Sequence, residues 1–374
     1  MIPRLYPADQ TDFSALGYGG MREATACAVK WQLNGAYELE MQYPLTGRRF
    51  PELKHRQIIT ATTGPNGREQ PFRIYRIVRS LDGLCTIYAR HVAYDLMGHT
   101  VIPFSADGLQ AALAQVQAGA VVQPHGFTLL AGFDSDASCE VTAPRTVWSM
   151  LGGQRGSLLD VYGGEWLFDR FRIALEKQIG ADRGVTVRYG KNLRTLEQDE
   201  NLANCWTAVH PYWLSADGLT LVTLPEHTIA TGVFDYVRVM VLDLSAEFEE
   251  APTEEQLRQR TERYIASNQV GVPDVGLTVD FVPLEQTQEY QHRGFLSAVG
   301  PGDTVSVEFP TAFSRDSGDP VAFVTASSRV VETVWLPLQD KYQSVRLGKK
   351  RANFVSTVVQ MQKNLAWVMG NRRT

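Results

Sequence analysis

The sequence contains only four cysteines, and no two of them form a closely spaced pair. Cys27, Cys85, Cys139 and Cys205 are spread along 374 residues, and no C-x-x-C spacing occurs. Thiolate zinc sites and redox dithiols both depend on such pairs, so the usual forms of both are excluded. We therefore expect four buried free thiols.

Long hydrophobic runs are also absent. No stretch of about 18 apolar residues exists, and the N-terminal Met1–Pro7 lacks the apolar run of a signal peptide. We therefore expect no membrane segment. We expect the protein to be made in the cytoplasm.

The sequence has no strong excess of charge of either sign. Its 36 basic and 41 acidic side chains give a formal net charge of −5, which does not attract nucleic acid or an anionic membrane in general. A local basic cluster, Arg346 with Lys349, Lys350 and Arg351, is typical of a solvated surface. We expect no specific nucleic-acid recognition.

Catalytic motifs are missing as well. His91 and Asp95 are four residues apart, but the H-E-x-x-H pattern is absent and the flanking residues indicate a strand. The glycine-rich stretch Gly152–Gly164 has neither a Walker ending nor G-x-G-x-x-G spacing, and no G-x-S-x-G elbow occurs. We interpret this stretch as tight turns between short elements.

Paired carboxylates occur at Glu249/Glu250 and Glu254/Glu255, where they begin a predicted helix. Acidic residues stabilise the positive end of the helix dipole, so this position requires no catalytic role. The sequence therefore predicts no catalytic, cofactor-binding or metal-binding residue, no cofactor, and no enzymatic activity.

The first 100 residues have the pattern of β-strands. Ala36–Tyr43 alternates apolar and polar residues, as a half-buried strand does. Phe72–Arg79 and Cys85–Tyr94 are two further predicted strands, and Asp82-Gly83 between them is a strong hairpin signal. We expect a small antiparallel barrel or sandwich.

Residues 101–205 are predicted to form an α+β domain. Leu109, Leu113 and Val116 recur at helical spacing between Asp107, a predicted N-cap, and Gly119, a predicted stop. A short second helix is predicted over Thr146–Leu151. Further strands are predicted at Trp166–Leu175 and Val185–Tyr189.

Residues 206–348 are predicted to be a second β region with one inserted helix at about 252–270, which begins at a capping box of Thr253 and Gln256. The predicted strands of this region are Leu219–Leu224, Tyr236–Leu244, Leu277–Leu284, Thr304–Phe309 and Val330–Leu336.

A C-terminal amphipathic helix is predicted over residues 349–374. Its apolar residues recur at spacings of four and three: Phe354, Val358, Met361, Leu365 and Val368. Packing on its own domain and an intersubunit seam are both compatible with this pattern.

Several segments together resemble one protein family. They are Tyr37–Pro44, Pro71–Ile77, Tyr88–Leu96, Gly156–Glu165, Asp182–Leu193, Gly302–Val307 and Lys341–Gly348. The sequence resembles the N-terminal region of phage minor structural proteins, the tail-associated lysin or prophage endopeptidase tail family, which is similar to the baseplate hubs of contractile phages. The resemblance covers nearly the whole chain and is most specific over Gly156–Leu193.

The resemblance implies a mixed α+β, β-rich fold with two small β-barrel hub domains, an inserted α+β domain and a C-terminal helix. It also implies a homotrimer whose six barrels form a ring at the virion tail tip. Such a ring would match a hexameric distal tail or tail tube protein on one side and hold a spike, fibre or receptor-binding protein on the other. DNA would pass through its central channel.

Longer relatives in this family carry a lytic domain or a fibre downstream of the hub. This sequence stops at Thr374, so we expect a structural protein without the endopeptidase activity of the family name. Two alternatives remain from the sequence. One is a tail-associated peptidoglycan hydrolase, and the other is the hub of a bacteriocin or contractile injection system.

Overall fold

The computed structural model describes residues 1–65, 67–122, 126–189, 193–202, 205–248, 250–268, 270–272, 274–281, 299–313, 315 and 320–348. The chain divides into two compact units. The larger unit is Met1–Glu197 with Leu277–Thr374, and the smaller unit is Gln198–Gly276. The predicted C-terminal helix over 349–374 lies outside the described residues.

The N-terminal part of the larger unit is an antiparallel sheet. Its strands are β1 (Arg4–Tyr6), β2 (Gly19–Gly20), β3 (Ala26–Gln32), β4 (Tyr37–Pro44), β5 (Ile58–Ala61), β6 (Gln70–Arg79) and β7 (Leu84–His91), followed by a 3-10 helix over Val92–Gly98. They pair in the order β3-β4-β7-β6-β5-β1-β2.

Two predictions for this region are confirmed. Along β4, Tyr37, Leu39, Met41 and Tyr43 are buried while the residues between them are at least partly exposed. The predicted hairpin turn connects β6 to β7, where Gly83 has a φ of +82°. This left-handed conformation is one that glycine adopts without strain.

The predicted strand over Cys85–Tyr94 is too long. Strand β7 ends at His91, and the chain then enters the 3-10 helix. The cause is local, because the Ala93 N–H donates a hydrogen bond of 3.2 Å to His91 Nδ1. The imidazole therefore caps the 3-10 helix in the way that asparagine or aspartate caps other helices.

The middle of the larger unit combines short helices with short strands. They are β8 (Thr100–Val101), β9 (Phe104–Asp107), α1 (Leu109–Ala118), β10 (Thr128–Ala131), β11 (Ser138–Val141), β12 (Arg145–Thr146), α2 (Val147–Leu151), α3 (Leu158–Tyr162), β13 (Glu165–Asp169) and β14 (Arg172–Glu176). Strands β10, β14 and β13 form a three-stranded sheet, while β9 pairs with β11 and β8 pairs with β12.

The start of helix α1 differs from the prediction. The N-cap is Gly108, with a φ of +87°, and not Asp107. Asp107 is the last residue of β9, and its Oδ1 accepts a 2.7 Å hydrogen bond from Ser138 Oγ on the paired strand β11. Its carboxylate therefore fastens the strand pair. The predicted short helix is confirmed as α2, with Thr146 as its N-cap.

The remaining elements of the chain are β15 (Asp182–Arg188), β16 (Leu193–Asn201), β17 (Ala208–Leu214), β18 (Leu221–Thr223), β19 (Ile229–Ala230), β20 (Val239–Asp243), α4 (Glu254–Asn268), β21 (Asp274–Phe281), β22 (Thr304–Phe313), β23 (Pro320–Leu336) and β24 (Lys341–Gly348). The smaller unit contains β17 to β20, a 3-10 turn over Ser245–Glu247, and α4.

Strand β23 connects the N-terminal and C-terminal strands of the larger unit. Its first part pairs with β22, and its second part pairs with β24 on one side and with β3 on the other. In that pairing Thr333 lies opposite Trp31. The result is one 13-stranded sheet that contains β1 to β7 together with β15, β16 and β21 to β24. The prediction of a β-rich fold is therefore confirmed.

The smaller unit packs one helix on a small sheet. Strand β17 is central, with β18 and β19 on one side and β20 in parallel on the other. Its core contains Val209 and Trp213 of β17, Leu242 of β20, and Leu257 of α4. One face of the sheet is thereby covered by the helix.

The predicted capping box at the start of α4 is confirmed. The Thr253 N–H donates to Gln256 Oε1 at 2.9 Å, and the Gln256 N–H donates to Thr253 Oγ1 at 3.3 Å. Replacing Thr253 with alanine removes one partner of this pair, so we expect a loss of about 1 kcal/mol in the free energy of unfolding. Urea unfolding measures it. Glu262→Ala, at an exposed position of the same helix, should change stability by less than about 0.5 kcal/mol.

Candidate functional site

His91 lies in the aromatic core of the N-terminal sheet. It is 1% exposed, and its ring stacks on Tyr37 at a centroid distance of 4.6 Å. Because Nδ1 accepts from the Ala93 N–H, the ring proton is on Nε2, which lies 3.3 Å from Gln70 Oε1. Burial lowers the pKa of His91 to about 3. The imidazole is therefore neutral and structural.

Asp95, which follows His91 by four residues in the sequence, is paired with Arg73. Arg73 Nε lies 2.8 Å and 2.7 Å from the two carboxylate oxygens. Arg73 Nη1 also donates to the carbonyl oxygens of Ala8 and Arg56, at 2.7 Å each. Arg73 thereby fastens the loop after β1 and the turn before β5 to the 3-10 helix.

A cleft of about 680 Å³ lies beside this ion pair. Its walls combine charged groups with apolar rings, and its lining residues are Ala8, Asp9, Gln10, Thr11, Arg56, Arg73, Tyr94, Asp95, Gly98, His99, Phe127 and Phe171. The best placed carboxylate and guanidinium of the cleft already bind each other. This arrangement stabilises the loops, while Asp9, Arg56 and His99 also line the cleft.

All four cysteines are free and buried, which confirms the prediction. Burial raises the pKa of Cys27 to about 12 and the pKa of Cys139 to about 11, and it also raises the pKa of Cys85. We expect no thiol of the native protein to react with iodoacetamide at pH 8, because all four are buried and only an accessible thiolate is nucleophilic. Mass spectrometry should find four modified cysteines after unfolding in guanidinium. A modified cysteine in the folded protein would contradict this expectation.

The glycine-rich stretch Gly152–Gly164 surrounds the short helix α3. The Asp160 N–H donates to Ser157 Oγ at 3.4 Å, and the Gly156 N–H donates to Asp160 Oδ2 at 2.9 Å. The chain's own side chains therefore occupy the amides that an anion would need. The glycines form turns, as predicted, with positive φ at Gly153 and Gly163 among others.

The predicted carboxylate pairs are also structural where they are described. Glu254 and Glu255 lie in the first turn of α4, where the helix dipole favours them. Glu249 lies outside the described residues. Within the described ranges, histidine, cysteine, aspartate and glutamate side chains form no group of three that could hold a metal ion. None of the described helices has the length and apolar composition needed to cross a membrane.

A buried ion pair that the sequence did not predict connects β13 to β23. Glu165 is 2% exposed, and its Oε2 lies 2.9 Å from Arg329 Nη2. The same carboxylate oxygen accepts from the Ile179 N–H at 2.8 Å, and Arg329 donates to the carbonyl oxygens of Ile179 and Gly302. This network fixes the chain where it passes from β14 into β15.

A second feature that the sequence did not predict is an apolar face on the smaller unit. We call it the outer face, the side of the β17 to β20 sheet opposite α4. Its residues follow from strand alternation and register: Ala208, His210, Tyr212, Leu214, Leu221, Thr223, Ala230, Val239, Val241 and Asp243. Val241 is 66% exposed and Leu221 is 60% exposed.

No protein-family model matches the sequence, and no curated protein matches it. Comparison with solved structures, in contrast, finds tail proteins that share the fold over most of the chain. A prophage tail protein from Listeria monocytogenes has 14% sequence identity and a TM-score of 0.55, and the match covers 98% of this chain and 100% of that one.

Two further tail proteins show the same similarity. One from Neisseria meningitidis has 13% identity and a TM-score of 0.56, with 88% of this chain and 93% of that chain covered. A 43 kDa prophage tail protein from Shewanella oneidensis has 15% identity and a TM-score of 0.53, with 88% and 94% covered. The resemblance inferred from the sequence is confirmed at the level of the fold.

Proposed function

We propose that this chain is a structural hub at the tail tip of a phage or phage-like particle. The observation that carries the proposal is the fold, which is shared with three tail proteins over at least 88% of this chain. Fold alone does not determine function in versatile architectures. Here the similarity extends over nearly the whole length of proteins that are all described as tail components.

In this proposal three copies form a ring that caps or extends the tail tube. The two β regions of each copy, residues 1–100 and residues 206–348 with their inserted helix, would be two small barrels. Three copies then supply six similar regions, which lets a three-fold ring match a hexameric distal tail or tail tube protein. The pairing of β3 with β23 supports this arrangement, because it joins the two β regions of a copy in one sheet.

The opposite side of the ring would hold a spike, fibre or receptor-binding protein, and DNA would leave through the central channel. Assembly would take place in the host cytoplasm, and the finished ring would belong to the virion tail tip. We propose domain boundaries near residues 100, 205 and 348 for this hub, with the C-terminal segment 349–374 as a helix.

We also propose that the hub is not an enzyme. Several groups that a catalytic site could use have structural roles among the described residues. His91 is neutral and buried, Asp95 is paired with Arg73, and the thiols of Cys27 and Cys139 are protonated at neutral pH. Zymography of the purified chain on peptidoglycan tests this part, and reproducible clearing would contradict it.

A three-dimensional reconstruction of the assembled tail tip tests the hub itself. We expect three copies around one axis, with a six-fold ring on the tube side. A single monomeric copy in the assembled tip would contradict the proposal. So would a ring of this chain at another position of the particle.

A further inference from the structure

The outer face of the smaller unit exposes large apolar side chains among the described residues, although its composition is typical of an interior. Half of the large hydrophobic side chains that are exposed among the described residues lie in this unit, which is about a fifth of the chain. Soluble monomers rarely expose apolar patches larger than a few hundred Å². Four of these side chains lie together on the outer face: Leu214, Leu221, Val239 and Val241. This cluster indicates a surface that another protein covers.

The outer face carries almost no charge. Asp243 is its one carboxylate and His210 its one basic side chain. Asp243 Oδ1 accepts hydrogen bonds from the N–H and the hydroxyl of Ser245, at 2.9 and 2.6 Å. The exposed side chains beside it are Val239, Val241, Leu214 and Leu221. Transient interfaces are about as polar as the rest of a surface, whereas interfaces between identical subunits are more apolar.

Strand β20 adds a second reason for a permanent cover. Within the described part of the chain it pairs with β17 alone, so its other edge is an edge of the sheet. Its sequence is Val-Met-Val-Leu-Asp, without lysine or proline. Exposed apolar edge strands of this kind aggregate unless they are covered or charged.

The size of the outer face indicates what covers it. The outer face is three strands wide and up to seven residues long. At the usual strand spacing and rise it measures about 14 Å by about 23 Å, on the order of 300 Å² of flat area. A stable pair of proteins needs about 800 Å² on each partner. The outer face is therefore too small to hold two chains together alone, but it suits one part of a larger interface.

We infer that the outer face packs on a neighbouring copy of this chain in the ring. The inference rests on the proposed function, because a closed ring supplies the additional contacts that the face requires. Around a three-fold axis each interface joins two different surfaces, so the outer face meets another surface of the next copy. Covering it on assembly also removes the exposed edge of β20.

Light scattering after size-exclusion chromatography tests the inference with three proteins. The unaltered chain should have three times the monomer mass, and Val241→Asp should have the monomer mass, because it would bury an unpaired carboxylate. Ala266→Asp places the same charge on the exposed side of α4 and should keep the trimer. A trimeric Val241→Asp would overturn the inference and leave the ring standing, whereas a monomeric unaltered chain would overturn both.

A milder variant keeps the test valid if Val241→Asp does not fold. Val241→Thr preserves the side-chain shape and adds a hydroxyl, and we expect the dissociation constant of the trimer to rise roughly tenfold. Unchanged unfolding of the isolated monomer would show that the smaller unit is intact. An unchanged dissociation constant would overturn the inference.

Photo-crosslinking identifies the occupant directly. Isotopically light and heavy chains, each with a benzophenone amino acid at position 241, would be mixed and assembled together. We expect crosslinked peptides that join a light chain to a heavy chain. Crosslinks confined to chains of one label, or crosslinks to a different tail protein in assembled particles, would overturn the assignment to a neighbouring copy.

Discussion

Replacing Glu165 with alanine is expected to lower the free energy of unfolding by roughly 3 to 5 kcal/mol. The variant leaves the guanidinium of Arg329 without its carboxylate in a partly buried position, and it removes the acceptor of the Ile179 N–H. An isolated buried charge costs much more than the lost attraction alone. Guanidinium unfolding of both proteins at pH 7 measures the difference.

Glu308→Ala is the matched control for this prediction. Glu308 also pairs with an arginine on a neighbouring strand, Arg188, at 3.1 Å, but both side chains are more than a third exposed. Exposed ion pairs contribute about 0 to 1 kcal/mol, so this variant should stay within that range. Equal losses from Glu165→Ala and Glu308→Ala would contradict the structural role of the buried pair.

A double replacement of Glu165 and Arg329 by leucine and methionine should recover only part of the loss. Apolar pairs of similar volume often substitute well for buried ion pairs. Here, however, Arg329 also donates to the carbonyl oxygens of Ile179 and Gly302, which the apolar side chains cannot satisfy. A full recovery would show that these backbone contacts contribute little.

The second large effect is a loss of stability in mild acid that depends on His91. The folded state lowers the pKa of this imidazole to about 3, whereas an unfolded histidine titrates near 6.5. Between these values the unfolded chain binds a proton that the native state excludes. Stability therefore falls as the pH falls through this window, by roughly 1.4 kcal/mol for each pH unit.

His91→Asn should remove this part of the acid sensitivity. Its amide oxygen can accept from the Ala93 N–H as Nδ1 does, although the stacking on Tyr37 is lost. Between pH 6.5 and 4.5 the unaltered protein should lose roughly 2 kcal/mol more than the variant. His55→Asn changes an exposed histidine and should keep the original slope. Equal slopes for all three proteins would show that His91 does not titrate as its burial implies.

Local features of this fold were predictable because neighbouring residues determine them. Strand β4 follows from the alternation of Tyr37–Tyr43, and the start of α4 follows from Thr253 and Gln256. Where a prediction was wrong by a few residues, a side chain made a hydrogen bond that the sequence pattern does not show. Asp107 bonds to Ser138 and so does not cap α1, and His91 caps a 3-10 helix from inside the core.

Long-range features were not predictable from the sequence. Glu165 and Arg329 are 164 residues apart, and no pattern in either segment indicates that they meet. The outer face was missed for another reason. Along Val237–Leu242 apolar residues occupy both sides of the strand, so alternation could not distinguish a covered face from an exposed one. A search for short apolar strands without lysine or proline could have found it.

The pairing of β3 with β23 has a consequence for synthesis of the chain. Strand β3 ends at Gln32, but the strand that covers its edge ends at Leu336. At ribosomal rates of about 5 to 20 residues per second, the edge of β3 stays unpaired for roughly 15 to 60 s until β23 has been synthesised. Contacts of such sequence separation form slowly, and unpaired edges invite aggregation in the meantime. The nascent chain should therefore depend on chaperones that hold the N-terminal sheet until Leu336 has left the ribosome.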